Sequence, residues 1–219
     1  MSVSRFQIAV SLDGYVAGPH QSAEDPLGVG GMRLHEWIFG LEAWPKEQGL
    51  DGGEVNASTP VIEEAQSNVG AGIMGRNMFG GGPGPWREDA PWNGWWGQDP
   101  PYHVPVFVLT HHPREPLEME GGTTFVFVTD GIGSALDQAK GAAGERDVVL
   151  GGGASVVQQY LAAGLIDEFE LHIVPVVLGD GERLLNHVGD LALEQVRAIE
   201  APGVTHIKYR VLEERAFGR

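Results

Sequence analysis

The sequence predicts an α/β protein built on a mixed, mostly parallel central sheet that is flanked by helices. Strand and helix patterns alternate through the middle of the chain, as is typical of parallel strands joined by helices. One of those strands ends in three glycines and opens directly into a helix. Near the end of the chain, strand patterns at 191–199 and 205–212 are separated by Pro202-Gly203, which predicts a final antiparallel hairpin.

Length and composition indicate how the chain is organised. With 219 residues, 42% of them hydrophobic, it is long enough for one large core. We therefore predict a single domain over 1–219, with loop insertions near 19–58 and 80–103. No apolar run approaches the roughly 20 residues that span a membrane, and the N-terminus lacks the features of a signal peptide. Both observations predict a cytoplasmic protein without a membrane partner.

Charge and cysteine content exclude several classes of function. The net charge of −16 argues against nucleic acids and anionic membranes as partners, because both repel an acidic surface. The absence of cysteine excludes disulfides, thiolate zinc sites and a cysteine nucleophile. We predict no metal site.

The segment 145–166 is the centre of the functional prediction. A short apolar strand at 147–150 is followed by Gly151, Gly152 and Gly153, and then by a helix over 154–163. Such a turn lets the backbone approach a ligand, and the free N–H groups at the helix start attract an anion. The alternative is a glycine turn that serves packing alone. The glycine spacing does not match the Rossmann fingerprint.

The remaining elements follow from periodicity and turn residues. Asp13-Gly14 is a turn signal after the first strand, and Thr59-Pro60 has the character of a helix start with Thr59 as the N-cap. The predicted strands cover 4–10, 70–75, 104–110, 124–129 and 168–177, and the predicted helices cover 32–44, 60–68 and 132–143.

A tryptophan-rich segment at 80–103 does not fit any regular element. Four tryptophans stand among prolines and glycines there. Such a segment is either a lid or subunit contact, or a small additional core under a long connection. The sequence leaves both interpretations open.

Polar residues follow three of the predicted strands at the point where each strand ends. Arg76 comes after one strand, Thr110 and two histidines come after another, and the glycine turn ends the third. Ligands of open α/β sheets bind beyond the carboxyl ends of the strands. An arginine fork can hold a phosphate, so the three ends together predict a long ligand with separated phosphates, such as a dinucleotide.

Five motifs occur in an order that resembles a known family. They are SLDGYVAG at 11–18, GIMGRNMF at 72–79, VFVLTHHP at 106–113, DVVLGGGASVVQQYL at 147–161 and DEFELHIVPVVLGDGERLL at 167–185. The chain resembles the dihydrofolate reductase superfamily, and within it the branch that includes the RibD C-terminal, or riboflavin-biosynthesis reductase, domain. The resemblance implies a three-layer dihydrofolate-reductase-like fold, NADPH as cofactor, a small-molecule substrate and a homodimer.

The resemblance also assigns roles by position. It assigns the nicotinamide to Ala9, Val16 and Ala17, and the adenosine-side phosphates to Gly75, Arg76 and Asn77. It assigns the ribose with its 2′-phosphate to Thr110, His111 and His112, and the pyrophosphate to Gly151, Gly152, Gly153, Ala154 and Ser155.

Candidates for catalysis are less well defined. The folate enzymes carry an acidic residue on the first helix, and Glu36 is the acidic residue in the first half of the corresponding segment. Asp13, in the turn after the first strand, is a second candidate, and His35 is a third source of protons. Each of these residues also fits a structural role. Trp37 is predicted to line the substrate pocket, with core packing as the alternative.

These observations favour hydride transfer from NADPH to a small planar or carbonyl-containing substrate of the pterin or riboflavin-precursor type. The alternative is a non-catalytic nucleotide-binding module with the same fold. A hydrolase that uses Ser155 is disfavoured because no GxSxG motif surrounds it. The absence of cysteine excludes the zinc deamination that accompanies some riboflavin-pathway reductases.

Overall fold

A computed structural model describes residues 2–42 and 52–212. Its strands are β1 Ser4–Ser11, β2 Tyr15–Ala17, β3 Val69–Gly75, β4 Pro105–Leu109, β5 Leu117–Glu118, β6 Thr124–Val128, β7 Asp147–Gly152, β8 Glu168–Val174, β9 Glu182–Arg183, β10 Leu193–Ala201 and β11 Val204–Val211. Its α-helices are α1 Glu36–Phe39, α2 Thr59–Gln66, α3 Arg76–Phe79, α4 Ile132–Ala143 and α5 Ala154–Ala162. Within the described ranges, no helix has both the length and the apolar character needed to cross a membrane.

The described residues form two compact units. The first contains residues 2–6 and 68–160, and the second contains residues 7–42, 52–67 and 161–212. Strand β1 contributes its first residues to the first unit and the others to the second.

The first unit is built on strands in the order β1-β7-β3-β4-β6-β5. All neighbours are parallel except β5, which runs antiparallel to β6. Helix α4 buries its small residues, and it packs so closely on β3 that a Cβ on Gly70 would lie 2.7 Å from the Cβ of Ala143. The glycine in β3 therefore permits the close approach of helix and sheet.

The second unit contains the order β10-β11-β8-β1. Strand β11 is antiparallel to both β10 and β8, and it follows β10 through a two-residue turn. The short strands β2 and β9 form a separate antiparallel pair. The predicted mixed, mostly parallel sheet with helices and a C-terminal antiparallel hairpin is thereby confirmed.

Two local predictions were wrong in detail. The segment predicted as one helix over 32–44 is a 3₁₀ turn at Gly31–Leu34 followed by the single-turn helix α1, because His35 departs from helical geometry (φ −114°, ψ −3°). Its last two residues lie outside the described ranges. Thr59 is the first residue of α2 rather than its N-cap. Ser58 occupies the N-cap position, and its hydroxyl is bound elsewhere.

The tryptophan-rich segment packs as an additional core of the first unit. Phe79, Phe125 and Met74 lie at the centre of this core, and Trp86, Trp92 and Trp96 pack against them. Three indole N–H groups donate hydrogen bonds to backbone oxygens: Trp86 to His112, Trp92 to Phe79 and Trp95 to Met78, at 2.8–2.9 Å. The packing alternative from the sequence therefore describes this segment.

Candidate functional site

The three polar strand ends belong to neighbouring parallel strands of the first unit. In β3, Met74 is aligned with Gly152 of β7, and Gly75 is aligned with Leu109 of β4. Thr110 follows directly, and its N–H donates to the carbonyl of Val128. The glycine turn, Gly75 and Thr110 therefore lie side by side at one edge of the sheet.

The glycine turn lies at the N-terminus of α5, a helix of nine residues. Gly152 has φ +115°, and its peptide bond to Gly153 is cis. A Cβ on Gly153 would meet no atom within 4 Å, so the backbone is open to a ligand there. Gly75 is closed by contrast, since a Cβ would lie 2.8 Å from a methyl carbon of Val156. Ala154 is buried and Ser155 is exposed.

Arg76, the first residue of α3, has a guanidinium that is only partly bonded. Its Nη2 donates to the carbonyls of Gly81 (3.3 Å) and Gly82 (2.9 Å). Its Nε and Nη1 are buried without a hydrogen-bond partner. The guanidinium stacks on the ring of Trp86, with Cζ 3.0 Å from the centroid. Burial and the nearby charge of Arg114 lower the pKa of Arg76 to about 10, so it stays charged at neutral pH. Asn77 is exposed.

The residues after β4 form a small polar turn. The backbone N–H of His112 donates a hydrogen bond to the Thr110 hydroxyl, with 3.2 Å between nitrogen and oxygen. The carbonyl of His112 accepts a hydrogen bond from the indole N–H of Trp86. Thr110 is buried, His112 is half-buried and His111 is exposed. The turn thus anchors the tryptophan-rich segment to the end of the strand.

The residues predicted near the nicotinamide lie in the second unit. Ala9 is buried in a small core with Leu34, Val174 and Val204. Val16 and Ala17 are buried in β2, where Ala17 is aligned with Glu182 of β9.

Asp13 holds two loops of the second unit together. Its Oδ1 accepts the hydroxyl of Ser11 at 2.6 Å and the N–H of Leu178 at 3.2 Å, and its Oδ2 accepts the N–H of Gly179 at 2.7 Å. The Ser11 hydroxyl and these backbone N–H groups lower the pKa of Asp13 to about 2. The carboxylate is therefore ionised at neutral pH, which favours the structural role that the sequence left open.

The other catalytic candidates lie around α1. Glu36 is exposed on the first residue of that helix. His35 is half-buried, its Nδ1 is buried without a hydrogen-bond partner, and burial lowers its pKa. Trp37 is half-buried and donates its indole N–H to the carbonyl of Leu34 at 3.0 Å.

Sequence reasoning missed a buried chain of polar side chains in the second unit. The Nδ1 atoms of His172 and His206 are 2.8 Å apart, Ser58 Oγ is 2.9 Å from His206 Nε2, and Gln7 Oε1 is 3.1 Å from His172 Nε2. Trp37 packs edge-on against both imidazoles at 5.1 Å. The histidines interrupt the apolar strands FELHIV and VTHIKY, and only the pairing of β8 with β11 brings them together.

One order of protons satisfies every group in this chain. Ser58 donates to His206 Nε2, the Nδ1–H of His206 donates to His172 Nδ1, and the Nε2–H of His172 donates to Gln7. Both imidazoles are then neutral. Burial lowers the pKa of His172 to about 3, with the charge of His206 as a second cause, and burial lowers that of His206 to about 4.

Among the residues that the structure describes, no group of three or more His, Cys, Asp or Glu side chains is placed to hold a metal ion.

Comparison with known proteins identifies the family. The model of the RibD C-terminal domain matches residues 4–207. The uncharacterized protein YyaP of Bacillus subtilis is 32% identical over 127 residues, which are 52% of this chain and 66% of that protein, so the match spans just under two thirds of the relative.

Solved structures show the fold. A putative riboflavin biosynthesis protein from Shewanella sp. PV-4 has a TM-score of 0.60 at 21% identity, covering 96% of this chain and 99% of that one. Dihydrofolate reductase from Enterococcus faecalis, complexed with NADP(H), has a TM-score of 0.50 at 13% identity, covering 96% and 97%. The resemblance drawn from the five motifs is confirmed: the chain belongs to the RibD C-terminal domain family.

Proposed function

We propose that the chain is an NADPH-dependent reductase that transfers hydride to a small planar or carbonyl-containing substrate of the pterin or riboflavin-precursor class. The family, and the reductase and riboflavin-biosynthesis proteins that share its fold, support a reductase. The observation that carries the choice of cofactor is Arg76, a cation with two buried donors without partners that directly follows the end of β3.

The residues at this edge of the first unit fit an anionic cofactor. A buried donor without a partner costs about 1–3 kcal/mol, and an anion that accepts from Arg76 Nε and Nη1 would remove that cost. At the start of α5, the N–H groups of Val156 and Val157 donate to the carbonyl of Gly153, so the N–H groups of Ala154 and Ser155 are the ones that could bind an anion there. Thr110, His111, His112, Asn77 and Ser155 add donors that could serve phosphate and ribose oxygens.

The chemistry divides between the cofactor and the chain. When bound, NADPH supplies the hydride, and the protein orients the reacting groups and excludes water. In the first unit, Thr110 and the glycine turn would hold phosphates. The resemblance assigns Ala9, Val16 and Ala17 to the nicotinamide. Among the candidates, Asp13 is poorly suited to deliver a proton, because it is ionised and bonded to backbone N–H groups. Burial lowers the pKa of His35, which disfavours its protonated form.

The test compares NADPH and NADH binding by calorimetry, with turnover screened against pterin, riboflavin-precursor, quinone and aldehyde substrates. Replacement of Arg76 by Gln should weaken NADPH binding about 10- to 100-fold and change NADH binding less, because a hydrogen bond to a charged group contributes about 1.5–3 kcal/mol. Arg210→Gln, an exposed position in β11, is the matched control. Equal losses of NADPH affinity in both variants would contradict the assignment of Arg76.

The second candidate function is a nucleotide-binding module without catalysis. The ionised Asp13 and the exposed Glu36 favour it, since neither is placed as a buried acid. Tight NADPH binding without oxidation on any substrate would support the module. Oxidation that falls strongly in His35→Gln would support the reductase.

We further propose that the chain forms a homodimer through the second unit. Leu171, Ile207 and Ala198 are aligned across β8, β11 and β10 and are partly or fully exposed, so one face of these strands offers an apolar row to a second copy. Light scattering should give twice the monomer mass for the native chain and the monomer mass for Ile207→Glu. The Arg210→Gln control lies on the opposite face and should remain dimeric.

A further inference from the structure

Asn93, in the tryptophan-rich segment, is the one asparagine of the sequence that is followed by a glycine. Its side chain is exposed, and it belongs to no helix or strand. The next residue, Gly94, has no side chain that would keep its backbone N–H away from the Asn93 amide. Among the described residues, no backbone carbonyl accepts that N–H. The nitrogen of Gly94 can therefore approach the side-chain amide that precedes it.

Arg114, in the turn after β4, binds this side-chain amide. Its Nη2 lies 2.9 Å from Asn93 Oδ1, and its Nη1 lies 2.5 Å from the carbonyl oxygen of Trp92. A guanidinium has only donors, so the amide must present its oxygen to Arg114. The fork of Arg114 thus fixes the carbonyl end of the amide and leaves the amide nitrogen unbound by the guanidinium.

A cation at the oxygen of a carbonyl favours nucleophilic attack on its carbon. If the nitrogen of Gly94 attacks Cγ of Asn93, negative charge develops on Oδ1. A donor that is already in place at such an oxygen stabilises the transition state. Both acceptors of Arg114 are neutral oxygens, so neither of them cancels the charge that the guanidinium offers.

We propose that Asn93 is a site of spontaneous deamidation and that Arg114 promotes the reaction. The nitrogen of Gly94 forms a bond to Cγ of Asn93, the bond between Cγ and Nδ2 breaks, and ammonia leaves with the proton of the Gly94 N–H. The succinimide ring that results takes up a water. Cleavage of its bond between nitrogen and Cγ gives aspartate, and cleavage of its bond between nitrogen and the backbone carbonyl carbon gives isoaspartate. The reaction needs no oxidant or reductant.

The two products change the tryptophan-rich segment in different ways. Aspartate keeps the backbone and places a carboxylate beside the guanidinium of Arg114. Isoaspartate adds a methylene to the backbone next to Gly94, which has φ +96° and where even a Cβ would lie 3.0 Å from the indole of Trp96. The segment therefore changes in charge and in packing with time, without an enzyme. This inference does not depend on NADPH binding or on turnover.

Incubation of the folded chain at mildly alkaline pH, followed by peptide mass spectrometry, measures how fast Asn93 becomes aspartate and isoaspartate. Arg114→Gln removes the charged donor and should slow the conversion about two- to fivefold, the factor that corresponds to a partly exposed charged contact. Arg87→Gln is the matched control. Arg87 is an exposed arginine of the same segment that binds Asp89 instead, so its replacement should leave the rate unchanged.

The direction of the change separates promotion from restraint. If Arg114 only restrains the segment, Arg114→Gln will free the segment and speed the conversion. In urea, where the contact is lost, the native chain and Arg114→Gln should convert Asn93 at the same rate. Arg114→Lys keeps the charge without the fork and should also be slower than the native chain, which gives a second variant if Arg114→Gln does not fold.

Three outcomes would overturn the proposal. The first is a folded native chain that keeps Asn93 intact while the chain in urea converts it. The second is a folded Arg114→Gln chain that converts Asn93 as fast as the native chain or faster. The third is a difference between the two chains that persists in urea, because the contact in the folded chain would then not be its cause.

Discussion

Single glycines decide how the tryptophan-rich segment packs. Gly80 and Gly82 both have positive φ, +87° and +75°. A Cβ on Gly80 would lie 2.8 Å from the indole of Trp95, whereas a Cβ on Gly82 would meet no atom within 4 Å. Gly80 therefore combines crowding with a backbone conformation, ψ −160° at positive φ, that only glycine readily adopts.

Gly80→Ala should destabilise the chain by more than Gly82→Ala. Both variants introduce backbone strain because alanine disfavours positive φ. At Gly80 the strain is about 1–3 kcal/mol because of its ψ of −160°, and Gly80→Ala also displaces an indole ring. Urea unfolding of the two variants would measure the difference. Equal losses of unfolding free energy would contradict both the crowding and the greater strain at Gly80.

At Asp13, the turn could be predicted from the sequence, whereas the hydrogen-bond partners of the side chain could not. The Asp-Gly pair indicated a turn, and Gly14 has φ +88°. The partners of the carboxylate, Leu178 and Gly179, are about 165 residues away, and nothing local in the sequence identifies them.

Asp13→Asn should lower stability at neutral pH, because the amide loses the charge that the Ser11 hydroxyl and the backbone N–H groups stabilise. The folded-state pKa is lowered, so the stabilisation is present above the ordinary value of 3.8 and is lost as the pH falls toward 2. The difference in melting temperature between Asp13→Asn and the native chain should therefore shrink in acid. A constant difference from pH 7 to pH 2.5 would contradict this account.

At the scale of elements, periodicity predicted most strands and helices to within a few residues. Helix α4 was predicted at 132–143 and occupies Ile132–Ala143, because its alanines and leucine repeat at helical spacing without a competing turn signal. The two-residue strands β5 and β9 were missed, since their pairing depends on distant partners rather than on a local pattern.

The same limit explains the missed histidine pair. Each histidine occupies one position in a strand, and their contact follows from the register that aligns His206 with His172. The polar strand ends, in contrast, were predictable because parallel neighbours place their carboxyl ends at one edge.

The histidine pair makes folding sensitive to acid. Both pKa values are lowered from 6.5, to about 3 and about 4, so between these limits the unfolded chain binds protons that the folded chain does not. The stabilisation that depends on the neutral histidines is therefore fully present above about pH 6.5. Below that pH, the folding equilibrium constant decreases by up to about tenfold per histidine for each pH unit.

Urea unfolding at pH 7 and pH 5 tests this expectation. His172→Gln should make the loss of stability between the two pH values smaller. His187→Asn is the control, because His187 is exposed and has φ +62°, a conformation that asparagine tolerates. An equal pH dependence in both variants would contradict a role for the buried pair.

For the whole molecule, the acidic composition opposes the anionic cofactor at long range. The net charge of −16 repels NADPH before contact, and salt screens this repulsion because the Debye length falls to about 8 Å at physiological ionic strength. The association rate constant of NADPH should therefore rise severalfold from about 0.01 M to about 0.15 M salt. Stopped-flow mixing would measure it, with uncharged adenosine as the insensitive control. A rate that falls with salt would mean that local positive charge dominates the encounter.

The distribution of tryptophans has a practical consequence for following unfolding. Four of the six, at positions 86, 92, 95 and 96, belong to the first unit, and Trp37 belongs to the second. Intrinsic fluorescence therefore reports mainly on the first unit, whereas far-ultraviolet circular dichroism weighs the strands and helices of both. If the two units melt separately, the emission curve and the dichroism curve will diverge, and Trp37→Phe will leave the emission midpoint where it was.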